Sequence, residues 1–300
     1  MLSNLLKAAN SVIIGKEQQI KLAVCCLLSQ GHLLIEDLPG MGKTTLAHLI
    51  AQLFGLEFSR IQFTSDMLPA DITGINIYDK NSGKFKFQQG PVFSQLVLAD
   101  EINRTTAKTQ SALLEAMEEN QVSIDGTTYP LKNPFFVIAT QNPQTQAGTF
   151  TLPESQLDRF LMRIHLGYPD HETERLILSG KNKREKLKTI EPIYTIEQLI
   201  DMQSQVEQVY MSDPILDYIQ SILHFSRNHK LFSTGLSPRA GLALVSASKA
   251  WAFIHQRKMI IPDDVNTVMS SIILHRITTH EQETMSNQQI LAEFEHLAVV

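Results

Sequence analysis

The run Pro39-Gly40-Met41-Gly42-Lys43-Thr44-Thr45 constrains the fold of this chain more than any other stretch. It lies between a short apolar segment, His32-Leu33-Leu34-Ile35-Glu36, and a segment from Thr44 to Leu53 in which Leu46, Leu49, Ile50 and Leu53 recur at helical spacing. A buried strand that turns through glycines into an amphipathic helix lets successive backbone N–H groups converge on phosphate oxygens, helped by the positive end of the helix dipole. Pro39, Gly40, Met41, Gly42, Lys43, Thr44 and Thr45 are therefore the expected phosphate-binding residues. Lys43 would neutralise the β- and γ-phosphates, and the Thr44 hydroxyl would ligate Mg2+. One position departs from the usual spacing: Asp37 stands where a first glycine is expected. Aspartate tolerates positive φ better than most residues, so the turn is expected to survive on that conformation.

A second buried strand, Leu96-Val97-Leu98-Ala99, ends on Asp100-Glu101, at the strand end where α/β folds bind ligands. Asp100 would hold Mg2+ through its water shell, because that ion dehydrates reluctantly. Glu101 could orient and deprotonate an attacking water. An acidic pair at a strand end reads equally well as a helix cap; downstream of a phosphate loop the catalytic reading prevails.

Further apolar strands are expected at Glu57–Phe63, Phe135–Thr140 and Met162–Leu166, with a helix from Thr106 to Glu119. Alternating strands and helices imply a parallel sheet covered on both faces. Residues 1 to about 30 read as helical around a short turn at Ile13-Ile14-Gly15-Lys16. Two hairpins interrupt the alternation, one at 74–87 around Asp79–Gly83 and one at 121–131 around Asp125-Gly126. From about Ile190 the pattern is wholly helical. The expected division is a core of residues 1–187 and a helical unit of 188–300, with the charged run Lys181–Lys188 as a solvated linker or helix face.

Composition narrows the function. The formal net charge of −5 argues against a surface coated for nucleic-acid binding. No apolar run is long enough for a membrane span, and no leader pattern opens the chain. Cys25 and Cys26 are adjacent and have no third cysteine to pair with, which fits a reducing, cytoplasmic setting. The ten histidines show no metal-ligand spacing.

The order of these motifs resembles that of AAA+ ATPases, and within them the MoxR family. The carrying residues are Glu36 to Thr45, Leu98-Ala99-Asp100-Glu101-Ile102-Asn103-Arg104, Ala139-Thr140-Gln141-Asn142-Pro143, Leu152 to Phe160, and Ser237-Pro238-Arg239-Ala240. The resemblance implies a P-loop NTPase core with a five-stranded parallel sheet and β-hairpin inserts, followed by an all-α lid. It implies ATP and Mg2+, with Ile14 and Gly15 nearest the adenine. Asn142 resembles sensor 1, although an Asn before Pro143 is also an ordinary turn former. Arg159 resembles an arginine finger reaching into a neighbour's nucleotide; without the family it reads as a partner of Asp158 or Glu154. Arg239 resembles sensor 2, serving its own nucleotide or the neighbour's, and Ser237-Pro238 also reads as a plain helix start.

A finger acting in trans implies a homo-oligomer closed into a ring, with a hexamer expected. The family further implies a chaperone-like remodeller whose protein client carries a von Willebrand factor A domain. Ile77, Tyr78, Phe85 and Phe87 in the first hairpin would face such a client; packing against the core is the plainer expectation for each. A DNA-handling motor and a nucleotide-gated scaffold without turnover are the alternatives.

Overall fold

The computed structural model describes residues 2–142, 150–179, 187, 190–280, 285–294 and 296–297. The chain opens with α1 (Leu2–Val12) and α2 (Glu17–Leu28), separated at the expected turn by Gly15 with φ +72°. The core then runs through β1 (Leu33–Glu36), α3 (Lys43–Leu53), β2 (Phe58–Gln62), α4 (Pro69–Thr73), β3 (Gly74–Asp79), β4 (Lys84–Gln89) and β5 (Leu96–Asp100). It continues with α5 (Ala107–Glu119), β6 (Gln121–Ile124), β7 (Thr127–Pro130), β8 (Phe136–Gln141), α6 (Glu154–Leu157), β9 (Met162–Ile164) and α7 (His171–Leu178). The C-terminal unit comprises α8 (Ile196–Glu207), α9 (Asp213–Asn228), β10 (Phe232–Thr234), α10 (Pro238–Ile254), α11 (Pro262–Ile273), β11 (Thr278–Thr279) and α12 (Asn287–Phe294). It is a helical lid, with one small antiparallel ribbon between β10 and β11. The run Lys181–Lys188 and the division at 187/188 lie outside the described residues, Leu187 apart.

Five strands pair in parallel in the order β2-β5-β8-β1-β9. Successive side chains alternate between faces, so Leu33, Ile35, Leu96, Leu98 and Ile138 join one apolar cluster while Leu34, Val97, Ala99 and Val137 join another. Both faces are buried, which is why these strands read as unbroken apolar runs. The first cluster takes in α2, α3 and the lid helices; the second takes in α5. Cys25 and Cys26 are both buried and free within the first. Among the described residues, no helix is long and apolar enough to cross a membrane.

The two hairpins stand off the sheet, β3 with β4 and β6 with β7. An Asn76 amide to Asp125 carboxylate hydrogen bond of 2.7 Å joins them, as does a Phe87–Tyr129 stack with centroids 4.1 Å apart. Core packing holds for Phe87 only. Ile77, Tyr78 and Phe85 are 44%, 54% and 72% exposed, which overturns that expectation for those three. Each sits on a two-stranded ribbon, with no third strand paired to it among the described residues.

Candidate nucleotide site

Parallel pairing puts all strand C-termini on one edge, and the register pairs Glu36 with Gln141 and Gln62 with Asp100 along it. The loop from Asp37 to Gly42 leaves β1 at that edge. Gly40 and Gly42 adopt φ of +87° and +92°, and a Cβ built at either meets nothing within 4 Å. Glycine is needed there for backbone conformation, and the space in front is open. Pro39 is exposed, Met41 half-buried against the apolar core, and Thr44 and Thr45 lie in the first turn of α3.

Asp37 does not survive by left-handed backbone: among the described residues, the non-glycine positions at positive φ are Gln30, Glu101, Asn120, Asp125 and Gln256. Its carboxylate instead accepts the N–H groups of Leu166 and Gly167, the latter at 3.1 Å, just past β9. The acid therefore ties the loop to the edge strand, a role that spacing within the loop could not reveal.

Lys43 is buried, and its Nζ donates to three neutral oxygens, Asp37 O at 2.6 Å, Asn142 Oδ1 at 3.2 Å and Gln141 O at 3.4 Å. Burial lowers its pKa, opposed by the negative charges of Asp37, Asp100, Glu101 and Glu36. A buried ammonium held only by neutral acceptors, beside an open glycine loop, suits an arriving phosphate.

The two carboxylates close a network around it. Thr140, fully buried in β8, donates to Asp100 Oδ1 at 2.6 Å and accepts the Glu101 N–H at 2.9 Å. Arg60 in β2 binds Asp100 Oδ2 through Nη2 at 2.7 Å and Nε at 3.1 Å. Glu101 sits at φ +58°, ψ +48°, a left-handed conformation that costs a non-glycine residue on the order of 1–3 kcal/mol. Its carboxylate accepts from Asn142 Nδ2 at 3.0 Å, Gln62 Nε2 at 3.1 Å and Arg104 Nη1 at 2.9 Å. Asn142 thus bridges Lys43 and Glu101, as its place after β8 predicts; Pro143 beyond it is outside the described residues. Thr44 in the first turn of α3 and Asp100 at the end of β5 offer a hydroxyl and a carboxylate, the hard oxygen set that suits Mg2+.

Ile14 and Gly15 lie beside this edge. A Cβ at Gly15 would fall 2.9 Å from Thr173 Oγ1, and Lys16 Nζ donates to Tyr168 O at 2.8 Å. Tyr168 follows Gly167, so Asp37 joins this turn to the phosphate loop.

Arg159 and Arg239 are elsewhere. Arg159 precedes β9, whose neighbour Leu161 donates to His32 O at 2.9 Å, on the N-terminal edge of the sheet. Both guanidiniums pair with Glu118 at the end of α5, Arg159 at 3.0 Å and Arg239 at 2.5 Å. At roughly 3.3 Å per residue, the strands hold the two edges more than about 10 Å apart. These arginines line a cavity of about 560 Å3 with Ser29, Gln30, Glu118 and Lys249. Asp158 and Glu154, the plainer partners for Arg159, do not pair with it among the described residues; Asp158 is taken by Arg276.

Sequence reasoning missed Arg60, Gln62 and Glu118, and gave Arg104 and Thr140, both within the motifs it quoted, no role in the site. Arg60 and Gln62 did carry a signal: they alternate along one face of a strand whose Ile61 is buried on the other.

Comparison with known proteins fits this geometry. A family model described as "ATPase family associated with various cellular activities (AAA)" matches residues 32–162, and one described as "AAA lid domain" matches residues 224–294. The chain is 44% identical over 282 residues to the uncharacterized protein YeaC of Bacillus subtilis, covering 94% of this chain and 88% of that one. It is 38% identical over 275 residues to the chaperone MoxR1 of Mycobacterium tuberculosis, covering 89% and 72%. A crystal structure of a proposed ATPase from Cytophaga hutchinsonii superposes with a TM-score of 0.90 at 36% identity, covering 99% of this chain and 94% of that one.

Proposed function

This chain belongs to the MoxR family of AAA+ ATPases, and from that premise we propose that it hydrolyses ATP to ADP and phosphate as part of a ring of identical subunits. The observation that carries the reading is the split of charged groups between the two sheet edges. Lys43, Asp100, Glu101 and Asn142 form one hydrogen-bonded group at the C-terminal edge. Arg159 and Arg239 are held together by Glu118 at the other.

In this reading the phosphate loop, Pro39 to Thr45, cradles the phosphates through its backbone N–H groups, and Ile14 and Gly15 flank the adenine. Thr44 supplies a hydroxyl and Asp100 a carboxylate to hold Mg2+. The bound ion would neutralise charge on the β- and γ-phosphate oxygens. Glu101 takes a proton from the attacking water, with Asn142 fixing the carboxylate and the water between them. Arg159 and Arg239 stabilise charge on the transferring phosphoryl group of the neighbouring subunit's nucleotide, so Arg239 acts in trans. Such fingers are worth about 10³–10⁵ in rate.

A heterologous contact of this kind closes into a ring, with a hexamer the expected size. The core of 1–187 and lid of 188–300 would shift against each other during turnover and remodel a protein client. A client bearing a von Willebrand factor A domain suits the exposed Ile77, Tyr78 and Phe85 of the joined hairpins. Two buried free thiols agree with a cytoplasmic setting.

The test is phosphate release per subunit as protein concentration rises through assembly. The expected rate climbs steeply and then saturates. A rate per subunit that is the same in monomer and assembly removes the trans finger.

A further inference from the structure

Arg159 lies between two residues that one lid side chain grips. Arg276, just past the end of α11, is 3% exposed at its side chain. Its guanidinium spends all five N–H groups. Nε donates to Asp158 Oδ1 at 2.7 Å, and Nη2 to Asp158 O at 3.3 Å and Phe160 O at 2.6 Å. Nη1 donates to Leu161 O at 3.2 Å and back to Ile272 O at 2.5 Å. Four of the five acceptors belong to the turn that carries Arg159. The fork is a geometry that lysine, with three donors on one atom, cannot reproduce.

Two more lid groups reach the same turn. His275 Nε2 is 3.2 Å from Phe160 O, and the Ser237 hydroxyl donates to Asp158 Oδ2 at 3.1 Å. Ser237 caps α10, the helix whose first turn holds Arg239. A third link runs from the phosphate loop: Arg163 in β9 bonds Glu36 Oε2 and Leu274 O, both at 2.9 Å. The segment 274–276 therefore meets β9 at Arg163, which bonds the strand that feeds the phosphate loop, and grips the Arg159 turn on its other side.

We propose that Arg276 is the positioning residue for Arg159, making the Asp158–Leu161 turn travel with the lid so that lid position sets where Arg159 meets the neighbour's nucleotide. This rests on the reading that Arg159 acts in trans. A buried arginine spending five donors on a remote loop would otherwise only fasten lid to core. That plainer role predicts loss wherever Arg276 is changed, whereas positioning predicts loss on one side of an interface only.

Mixed assemblies separate the two. Subunits with Lys43→Ala keep Arg159 but cannot use nucleotide; subunits with Arg159→Ala have a complete nucleotide site but no finger. Neither turns over alone, and their mixture regains turnover if the finger works in trans. Adding Arg276→Lys to the Lys43→Ala subunit should lower kcat of the mixture by at least about tenfold with KM for ATP unchanged, since small misplacements of a catalytic group cost up to about 10² in rate. Adding it to the Arg159→Ala subunit, which has no finger to misplace, should leave kcat within about twofold. If Arg276→Lys does not fold, Asp158→Asn keeps the backbone clamp and removes the ion pair, and should cost several-fold in the same arm. Equal losses in both arms, or none in either, overturn the proposal. A parent mixture that stays inactive removes the trans reading itself and the proposal with it.

Discussion

Replacing Asp37 by glycine would give the phosphate loop the residue commonly found there, yet the structure predicts that the change is destabilising. The Asp37 carboxylate satisfies two backbone donors, Leu166 N–H and Gly167 N–H, both partly buried. Hydrogen bonds to a charged group contribute about 1.5–3 kcal/mol each, less where water still reaches them. Glycine adds the freedom of the unfolded chain, about 0.5–1 kcal/mol. Allowing about 1 kcal/mol per partly buried bond, Asp37→Gly should cost about 2.5–3 kcal/mol, which lowers the melting temperature by roughly 5–12 °C. Asp37→Asn keeps one acceptor oxygen and should cost about half as much. Urea unfolding followed by circular dichroism reads both values. Nucleotide binding should weaken in parallel, because the loop loses its tie to β9. If Asp37→Gly unfolds within about 0.5 kcal/mol of the parent, the ordinary range for a neutral surface change, the carboxylate is not holding the loop.

Three other expectations are independent of this one. Arg60→Met removes a guanidinium competing for Asp100 Oδ2; with Arg60 47% exposed the pair is worth about 1 kcal/mol at most. The Mg2+ concentration for half-maximal nucleotide binding should then fall up to about fivefold, and a rise would show that Arg60 assists the ion. Burial lowers His32 from 6.5 to about 4, and His275 is lowered by burial and by Arg276. The unfolded chain gains protons below pH 6.5 while native His32 stays neutral, so stability present above that pH is lost progressively towards pH 4. The loss from His32 is on the order of 3 kcal/mol. His32→Asn, which offers a donor and an acceptor without titrating, should flatten part of that slope in pH-dependent melts; an unchanged slope would clear His32. On the proposed reading that a von Willebrand A domain client docks on the hairpins, Phe85→Asp should abolish its binding in a pull-down with nucleotide affinity unaltered, and retained binding would turn attention from the hairpins.

The sheet was legible because its strands are buried on both faces. Leu33, Leu34 and Ile35 are each 0% exposed although they point to different clusters, so the sequence shows an unbroken apolar run ending where the loop begins. Asn142 beside Glu101 followed from the same logic, since adjacent parallel strands end together. What stayed hidden depends on pairs far apart in the chain. Asp37 with Gly167, Arg60 with Asp100, and Arg159 with Glu118 are set by tertiary packing, and no local spacing encodes them. The left-handed Glu101 was equally invisible, because glutamate carries no propensity for that conformation.

On the proposed trans reading, the distribution of cations makes one subunit a poor enzyme. Phosphoryl transfer needs positive charge around the γ-phosphate beyond the loop lysine and the metal. Among the described residues at the C-terminal edge, Arg163 pairs with Glu36, and the two cations on the site carboxylates, Arg60 and Arg104, are already bound to Asp100 and Glu101. Recruiting either would strip a partner from a carboxylate the reaction also uses. Arg159 and Arg239 share one acid, Glu118, and they sit at the edge of the sheet opposite the phosphate loop. On this reading a second copy is the source of the missing charge. An isolated subunit in which Arg104→Ala, and not Arg159→Ala, abolished turnover would show that the cation is supplied from within.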